Sequence, residues 1–585
     1  MSETIVEDPA SPGLRGRSTA DDRGRPRHAH AATPRPPGGL SAYLAWAVAG
    51  LVILSGIAVR CWYLFHRPVN GDEAIAGLLA NQIAHGHFSA FYWGQSYGGA
   101  EPYLVAVLFR VFGSGIWAMK VVPVLLAAVA GVLTWRVVRR LVPDPSLAVL
   151  AGALVWASPL TALSNSTLEL GFRGVTLVCS LGILLSALRI LDGRRRPVEF
   201  AVLGLVAGIG WWSSPELVYF ALPSGLLLAW AIIRDADQGR ARRWTGRLAV
   251  VLGAVIVGSS PWLWANAHSS FRSLRSSSFN LPPGSPGYGG RLHLFFKYSV
   301  PMLFNLRAQS SGAYLWGRMN SLIVLAVLVL ILAVALVLCL LRDVKGRIIA
   351  VAVLAFPLLL ALSPATWYWG DGRYADFIGP LLAMTLAIGC SEAGRRLAGR
   401  RADESGNSGR AAAVGRVALA VVVTGIVAVG IVDFSRTVTP VSSYAANWRD
   451  PNGPAMHAVD VLEANGVRYG YADYWVAYPL TLLSDGRLRI TTAGNDPDRW
   501  SALDAQVQAS SSPAWLFVTP DAAAINQFGS TFAIQGPNGE PQAQFVAELH
   551  HLGIPYRVVD AGLVTAVIPD RPVPPSTVGL GRPPG

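Results

Sequence analysis

Apolar stretches of about 20 residues recur along this chain from residue 42 to residue 432, and that is the length a helix needs to cross the hydrocarbon core of a bilayer. The pattern predicts about eleven spans, over roughly 42–64, 116–138, 147–165, 172–190, 198–212, 215–233, 247–266, 320–341, 347–364, 373–390 and 413–433. Two long hydrophilic segments interrupt them, 65–115 and 267–319. After residue 433 the pattern becomes that of a soluble domain. Helical periodicity over 455–465, 474–483 and 542–552 alternates with strand-like runs at 467–472, 487–492, 514–519, 556–559 and 563–568, which predicts a small α/β domain. The expected fold class is therefore an α-helical polytopic membrane protein with a C-terminal α/β domain. Three parts are expected: a tail over 1–38, a transmembrane domain over 39–433 and the α/β domain over 434–585. The tail is rich in Pro, Arg, Ala and Gly and has no periodicity. It cannot bury a core and is expected to be disordered.

Composition agrees with the spans. Hydrophobic residues make up 52% of the chain and charged residues 14%, against about 25% charged in soluble domains. The net charge of +13 comes almost wholly from arginine, since the lysines are Lys120, Lys297 and Lys345. A basic balance can signal nucleic acid, but here the arginines gather at span ends. If the N-terminus is cytoplasmic, the inside connections hold Arg136, Arg139 and Arg140, then Arg194, Arg195 and Arg196, then Arg240, Arg242 and Arg243. Later ones hold Arg342, Lys345 and Arg347, and Arg395, Arg396, Arg400 and Arg401. That is the positive-inside pattern. It predicts a multi-pass plasma-membrane protein with no nucleic-acid partner, and it puts the C-terminal domain and both long segments outside. The segment 267–319 is itself basic, through Arg272, Arg275, Arg291, Lys297, Arg307 and Arg318, which suggests an anionic ligand. Cys61, Cys179, Cys339 and Cys390 form neither a disulfide framework nor a metal-ligand spacing. No Walker loop, Rossmann glycine pattern or Gly-x-Ser-x-Gly elbow is present, so ATP-driven transport and serine hydrolysis have no support.

Acidic residues sit where the spans meet the outside. Asp72 and Glu73 follow the first span and begin a short amphipathic pattern, Ile75, Leu78, Leu79 and Ile83, which predicts a helix of a kind that can lie on the membrane surface. Two readings compete for the carboxylates: helix capping and chemistry. The same segment carries Trp93, Gln95, Tyr97 and Glu101. Aromatic rings, an amide and a carboxylate suit a sugar or polar headgroup, although aromatic residues collect at membrane interfaces in any case. Glu101 precedes an apolar helix, where an unpaired carboxylate is costly. Glu169 lies four residues before Arg173, a spacing that suits a simple ion pair, and Glu216 follows at a later span. Arg373 and Tyr374 close the aromatic run that starts at Trp367. The guanidinium suits a phosphate, and snorkelling to the interface is its plainer role. His85, His87, His268 and His293 match no strong motif. Glu101 with His293 is the candidate pair for a divalent metal, and no cofactor is otherwise expected.

These residues resemble the membrane glycosyltransferases of the C-type (GT-C) fold, in particular the family-39-like group of protein O-mannosyltransferases and the aminoarabinose transferase of lipid A. The resemblance covers roughly residues 40–433. It rests on Gly71-Asp72-Glu73 after the first span, on the stretch from Tyr97 to Pro102 before a juxtamembrane helix, and on Gly372-Arg373-Tyr374 opening a late span. The lysine that relatives carry after the Glu101 position is absent, and Pro102 follows directly. In the relatives that lysine touches the donor phosphate, so here another cation must do so. The resemblance implies a polyprenyl-phosphate sugar as donor and an envelope glycan, lipid or protein as acceptor. It implies Asp72 as general base beside Glu73, with inversion at the anomeric carbon. Arg373 and Lys297 are then the candidates for the leaving phosphate, and Tyr374, Trp93, Gln95, Tyr97, Glu101 and Glu169 would line the substrate site.

Two other classes compete. A flippase of lipid-linked glycans would also have many spans, but transporters place ionisable residues near mid-membrane in broken helices, whereas the acidic residues here sit at span ends. A non-catalytic scaffold would use the C-terminal domain to hold a partner. In that domain Asp473, Tyr474 and Trp475 read either as a carbohydrate contact or as an ordinary helix start with aromatic packing, and the second is the expectation.

Overall fold

The computed structural model describes residues 39–237, 239, 242–275, 285–308, 312–363, 373–397, 408–437, 450–493, 499–519 and 541–578. The expected tail over 1–38, and the aromatic run from Trp367 to Gly372, lie outside the described residues. Leu40–Gly585 forms one packed unit, so the C-terminal domain does not stand apart from the helices.

The membrane part begins with α1 (Leu40–His66), followed by the short helices α2 (Gly71–Ala84) and α3 (Glu101–Phe112). Next come α4 (Ile116–Leu141), α5 (Pro145–Ala157), α6 (Leu160–Asn165), α7 (Arg173–Leu191), α8 (Pro197–Ser213) and α9 (Val218–Ala236). Then follow α10 (Arg243–Gly258), α11 (Ser260–His268), α12 (Arg272–Arg275), α13 (Tyr288–Leu294) and α14 (Val300–Leu303). The last four are α15 (Arg318–Leu340), α16 (Val344–Leu360), α17 (Gly379–Leu397) and α18 (Ser408–Thr437). Every expected span falls on a helix or a helix pair, and the count of eleven crossings is not confirmed. Among the described residues seven helices are long and apolar enough to cross a membrane, or eight if the bent pair α10–α11 counts as one span. The stretch 147–165 breaks at Pro159, between α5 and α6, and α8 has 17 residues, at the lower limit for a crossing of about 30 Å. The chain is a multi-pass membrane protein.

Packing follows the sequence. Helix α5 is apolar on all sides and is mostly buried, as such a helix must be. It lies against α1, α4, α17 and α18. Glycines at Gly208 and Gly258 let the backbones of α8 and α10 touch, since a Cβ on Gly208 would sit 2.4 Å from the Val255 carbonyl oxygen. Close approach through small residues is a common way for membrane helices to associate. The outer faces carry exposed apolar side chains such as Leu51, Leu54, Ile323, Leu330 and Val421, a surface suited to lipid.

The two ends of the bundle differ. At one end the basic connections pair with acids: Arg140 with Asp192 at 2.9 Å, Lys345 with the same Asp192 at 2.5 Å, Arg416 with Asp144 at 2.7 Å, and Arg195 with Asp235. Helix α4 spans the bundle from there, and about 30 Å of helical rise separates Arg140 from Lys120. At the Lys120 end α2, α3 and the C-terminal domain meet.

The C-terminal domain starts with α19 (Gly453–Ala464). It continues through β1 (Tyr469–Ala472), α20 (Tyr474–Leu483), β2 (Arg489–Thr492), α21 (Ser501–Gln508) and β3 (Ala514–Val518). It ends with α22 (Pro541–His551), β4 (Tyr556–Asp560) and β5 (Val564–Pro569). All five expected strands and the three expected helices are present, and α21 is an addition. The sheet order is β2-β1-β3-β5-β4. The β1–β2 and β1–β3 pairs are parallel, and the β3–β5 and β4–β5 pairs are antiparallel.

Candidate functional site

Helix α2 begins with a capping box that assigns roles to its two acids. The Asn70 side chain accepts from the Glu73 N–H at 3.0 Å, and the Asn70 N–H donates to Glu73 Oε2 at 3.3 Å. Glu73 is fully buried and pairs with Lys120 of α4, Nζ to Oε1 3.2 Å. Its oxygens are thus taken up by the cap and by a buried cation, so it has no open face toward a substrate. The structure thus places Glu73 in the helix cap and the Lys120 pair, away from the Asp72 carboxylate. The capping reading belongs to Asn70 and Glu73, and Asp72 is left over.

The side chain of Asp72 points into a polar cluster. Arg373 Nη1 donates to its Oδ2 at 3.1 Å, and the Tyr474 hydroxyl donates to its Oδ1 at 2.8 Å. The Tyr92 hydroxyl donates to the Asp72 backbone carbonyl at 2.8 Å. Asp72 and Arg373 keep side-chain exposures of 24% and 23%, so the pair stays open to an arriving molecule. Burial alone would raise the Asp72 carboxyl. The Arg373 guanidinium, the Tyr474 hydroxyl and Arg499 outweigh it and hold the carboxyl below its ordinary range. Asp72 is therefore an anion at neutral pH, with lone pairs remaining on both oxygens.

The walls are built from several elements. Arg173, in the first turn of α7, donates to the Arg373 carbonyl at 2.8 Å, lies 3.8 Å from Glu216, and stacks over the ring of Tyr374 at 4.4 Å. The expected Glu169–Arg173 pair does not form. Glu169 accepts from the Gly171 N–H at 2.9 Å and lies against Glu101. Glu101 accepts from the Val175 N–H at 3.0 Å, a carboxyl set on the positive end of α7. Burial pushes the Glu101 carboxyl up to about 7, and burial together with the neighbouring Glu101 carboxylate holds that of Glu169 well above its ordinary range. Both carboxyls thus hold backbone N–H groups of the turn that carries Arg173.

The loop from Phe91 to Gly98 closes on itself, with an antiparallel bridge between those two residues. Trp93 stacks on Trp500 of the C-terminal domain, centroids 4.7 Å apart. Tyr97 packs edge-on against Phe172 at 5.1 Å. The Gln95 Oε1 is buried without a hydrogen-bond partner among the described residues. Arg499 reaches back to the Gly94 carbonyl at 3.3 Å, and its backbone N–H donates to the Tyr478 hydroxyl at 3.0 Å.

The apolar face of helix α2 is turned to protein. Ile75, Leu78 and Leu79 are buried, and the helix packs between α3 and α20. A Cβ on Gly71 would stand 2.9 Å from the Tyr474 ring, and one on Gly77 would stand 3.0 Å from Leu482, so this face of α2 is cut to fit α20. The amphipathic pattern was real, but its partner is protein.

Lys297 is exposed on the turn after α13, with its ammonium 5.1 Å from the Tyr298 ring centroid. Beside it Arg307 lies between the rings of Tyr298 and Tyr314, at 4.3 Å and 4.1 Å. His293 is exposed on α13, while Glu101, the first residue of α3, is buried against the first turn of α7. Among the described residues no group of three His, Cys, Asp or Glu side chains converges as a metal ion would need. Sequence reasoning missed Arg173, Arg499 and Tyr474 as members of the cluster. The first was assigned to a local ion pair, the second had no motif, and the third was read as packing. Asp473 does start α20 as an ordinary cap, accepting from the Trp475 N–H at 2.8 Å, but the neighbouring hydroxyl belongs to the site.

The family model described as dolichyl-phosphate-mannose-protein mannosyltransferase matches residues 100–264. No curated protein sequence matches the chain. Among solved structures, ArnT from Cupriavidus metallidurans in the apo state is similar with a TM-score of 0.51 and 12% identity, covering 90% of this chain and 98% of that one. The same protein bound to undecaprenyl phosphate gives 0.48 and 12%, covering 90% and 97%. The oligosaccharyltransferase AglB from Archaeoglobus fulgidus, in complex with an inhibitory peptide and a dolichol-phosphate, gives 0.46 and 13%, covering 82% and 70%. The fold assignment rests on the first of these, which spans nearly the whole of both chains. The chain has the GT-C fold of membrane glycosyltransferases, with the Asp72 cluster where its helical bundle meets the C-terminal α/β domain.

Proposed function

We propose that this chain transfers a sugar from a polyprenyl-phosphate-linked donor to an acceptor hydroxyl of the cell envelope, with inversion and with Asp72 as general base. The observation that carries the reading is the Asp72 carboxylate itself. It is ionised, partly open and gripped by Arg373 and Tyr474 at a membrane-end cluster of a GT-C fold. The matched family model describes enzymes that use a lipid-phosphate sugar, which supports the donor class.

The cluster suggests how the step runs. The acceptor hydroxyl binds to a remaining lone pair of Asp72. Its oxygen attacks the anomeric carbon from the face opposite the phosphate, the bond from that carbon to the phosphate oxygen breaks, and the hydroxyl proton passes to Asp72. The polyprenyl phosphate leaves with the bonding electrons. A carboxylate held at low basicity takes the proton late, once the attacking oxygen has become positive. The leaving anion needs a cation, and Arg373 supports that role, with Arg173 and Lys297 as further candidates. A donor phosphate competes with Asp72 for Arg373, so donor binding loosens that pair and raises the basicity of Asp72 when a base is needed. The orientation that fits has the N-terminus cytoplasmic, with this cluster and the C-terminal domain on the outer face, supported by the basic belt at the other end of α4. Purified protein in nanodiscs, offered a panel of radiolabelled polyprenyl-phosphate sugars with envelope glycans, lipids and proteins, tests the reading. Transfer from at least one donor is expected. Absence of both transfer and donor hydrolysis across the panel overturns it.

A further inference from the structure

We propose that Tyr474, a residue of the C-terminal α/β domain, is a positioning residue for Asp72, so that this domain is a working part of the site. The inference rests on the reading of Asp72 as the base. Tyr474 opens α20, and its hydroxyl donates to Asp72 Oδ1 at 2.8 Å. The side chain is buried, with Trp475 and Tyr478 edge-on to its ring at 5.0 Å and 5.3 Å. Its ring edge lies against Gly71, the one residue between the capping Asn70 and Asp72. Asp473 caps α20 and fixes where the helix begins.

Two further contacts lock the same domain across the cluster: Arg499 donates to the Gly94 carbonyl at 3.3 Å, and Trp500 stacks on Trp93. Within the domain, the Arg499 guanidinium lies 5.8 Å from the Tyr474 ring centroid. The hydroxyl therefore arrives from a rigid support on the side of Asp72 that Arg373 does not occupy. A carboxylate held at one oxygen only can swing about its side-chain bonds. Held at both, it presents its remaining lone pairs in one direction, which is what an in-line attack requires. When a donor phosphate draws Arg373 away, Tyr474 is the contact that still holds the carboxylate.

The test uses the full chain in nanodiscs, with Tyr474→Phe beside Asp72→Asn. Phenylalanine keeps the ring and its packing and removes only the hydroxyl. The expected result is a fall in kcat of about tenfold, a donor KM within about twofold of the wild type, and an acid limb of the kcat profile moved to higher pH by about one unit. The sign follows from the contact: the carboxylate loses a hydrogen bond that favoured its charged form, so it protonates more readily. A kcat loss without a shifted limb indicates packing alone and overturns the proposal, as does an unchanged profile. If Tyr474→Phe lowers the yield of folded protein, 3-fluorotyrosine at position 474 replaces it. That more acidic donor should move the limb to lower pH, and no movement overturns the proposal. Loss of transfer in Asp72→Asn with a wild-type Tyr474→Phe refutes the role of Tyr474 alone. Full transfer by Asp72→Asn refutes the base on which it rests.

Discussion

Replacing Asp72 with Asn separates chemistry from structure at a single atom. The substitution keeps the shape of the side chain and removes its charge and basicity. The cap of α2 is untouched, because Asn70 and Glu73 form it. The lost ion pair is intermediate in kind. Exposed pairs are worth about 0–1 kcal/mol, and breaking a buried one costs about 3–5 kcal/mol. With roughly a quarter of each side chain open, a cost of about 1–3 kcal/mol is reasonable. The catalytic loss is larger. Removing a general base costs about 10²–10⁴ in rate, or about 3–5 kcal/mol of transition-state stabilisation. Asp72→Asn should therefore express and insert normally, with a modest fall in melting temperature, and should lose at least about a hundredfold in kcat. Donor affinity should hold or rise, because Arg373 no longer has to leave a carboxylate to reach a phosphate. Single-turnover transfer from a labelled donor gives the rate, and equilibrium filtration of the same donor gives the affinity. Transfer within tenfold of the wild type, with donor binding intact, refutes Asp72 as base. A hundredfold loss of donor affinity refutes the competition for Arg373.

Other substitutions test the surroundings. Arg373→Ala should raise the donor KM more than Lys297→Ala does, since Arg373 lies in the cluster and Lys297 is exposed beside Tyr298; equal effects in steady-state kinetics would contradict this. Gly71→Ala should lower kcat with little change in donor KM, because its Cβ would stand 2.9 Å from the Tyr474 ring and push that ring off Asp72; wild-type turnover would show that α20 yields freely. The Glu101 carboxyl, raised by burial to about 7, keeps its proton in the folded chain at pH values where the unfolded chain has lost it. Its contribution to stability therefore falls as pH rises from its ordinary value toward 7. Glu101→Gln removes that dependence, so the drop in melting temperature between pH 5 and pH 8 should be smaller than in the wild type, and an equal or larger drop refutes the assignment.

By itself the sequence determined everything that depends on local pattern. Spans were legible because a segment in lipid must be a helix that satisfies its own backbone, and crossing takes about 20 apolar residues. The α/β domain was legible because strand and helix periods alternate cleanly after residue 433. Arginine placement marked one end of the bundle, and there the structure pairs Arg140 and Arg195 with acids. Asp72 was visible as a carboxylate at the end of a span, though not its partners. Which helices are long enough to cross was blurred, because hydropathy does not see the break at Pro159 or the bend between α10 and α11. Tertiary structure alone decided what each charge does. Glu73 and Asp72 are adjacent and chemically alike, yet a helix turns consecutive side chains about 100° apart, so one meets Lys120 and the other meets Arg373. Tyr474 stands some four hundred positions from Asp72, and no local period carries such a contact. It arises because α20 fits against the glycines of α2, and close packing of that kind is a property of the folded surfaces.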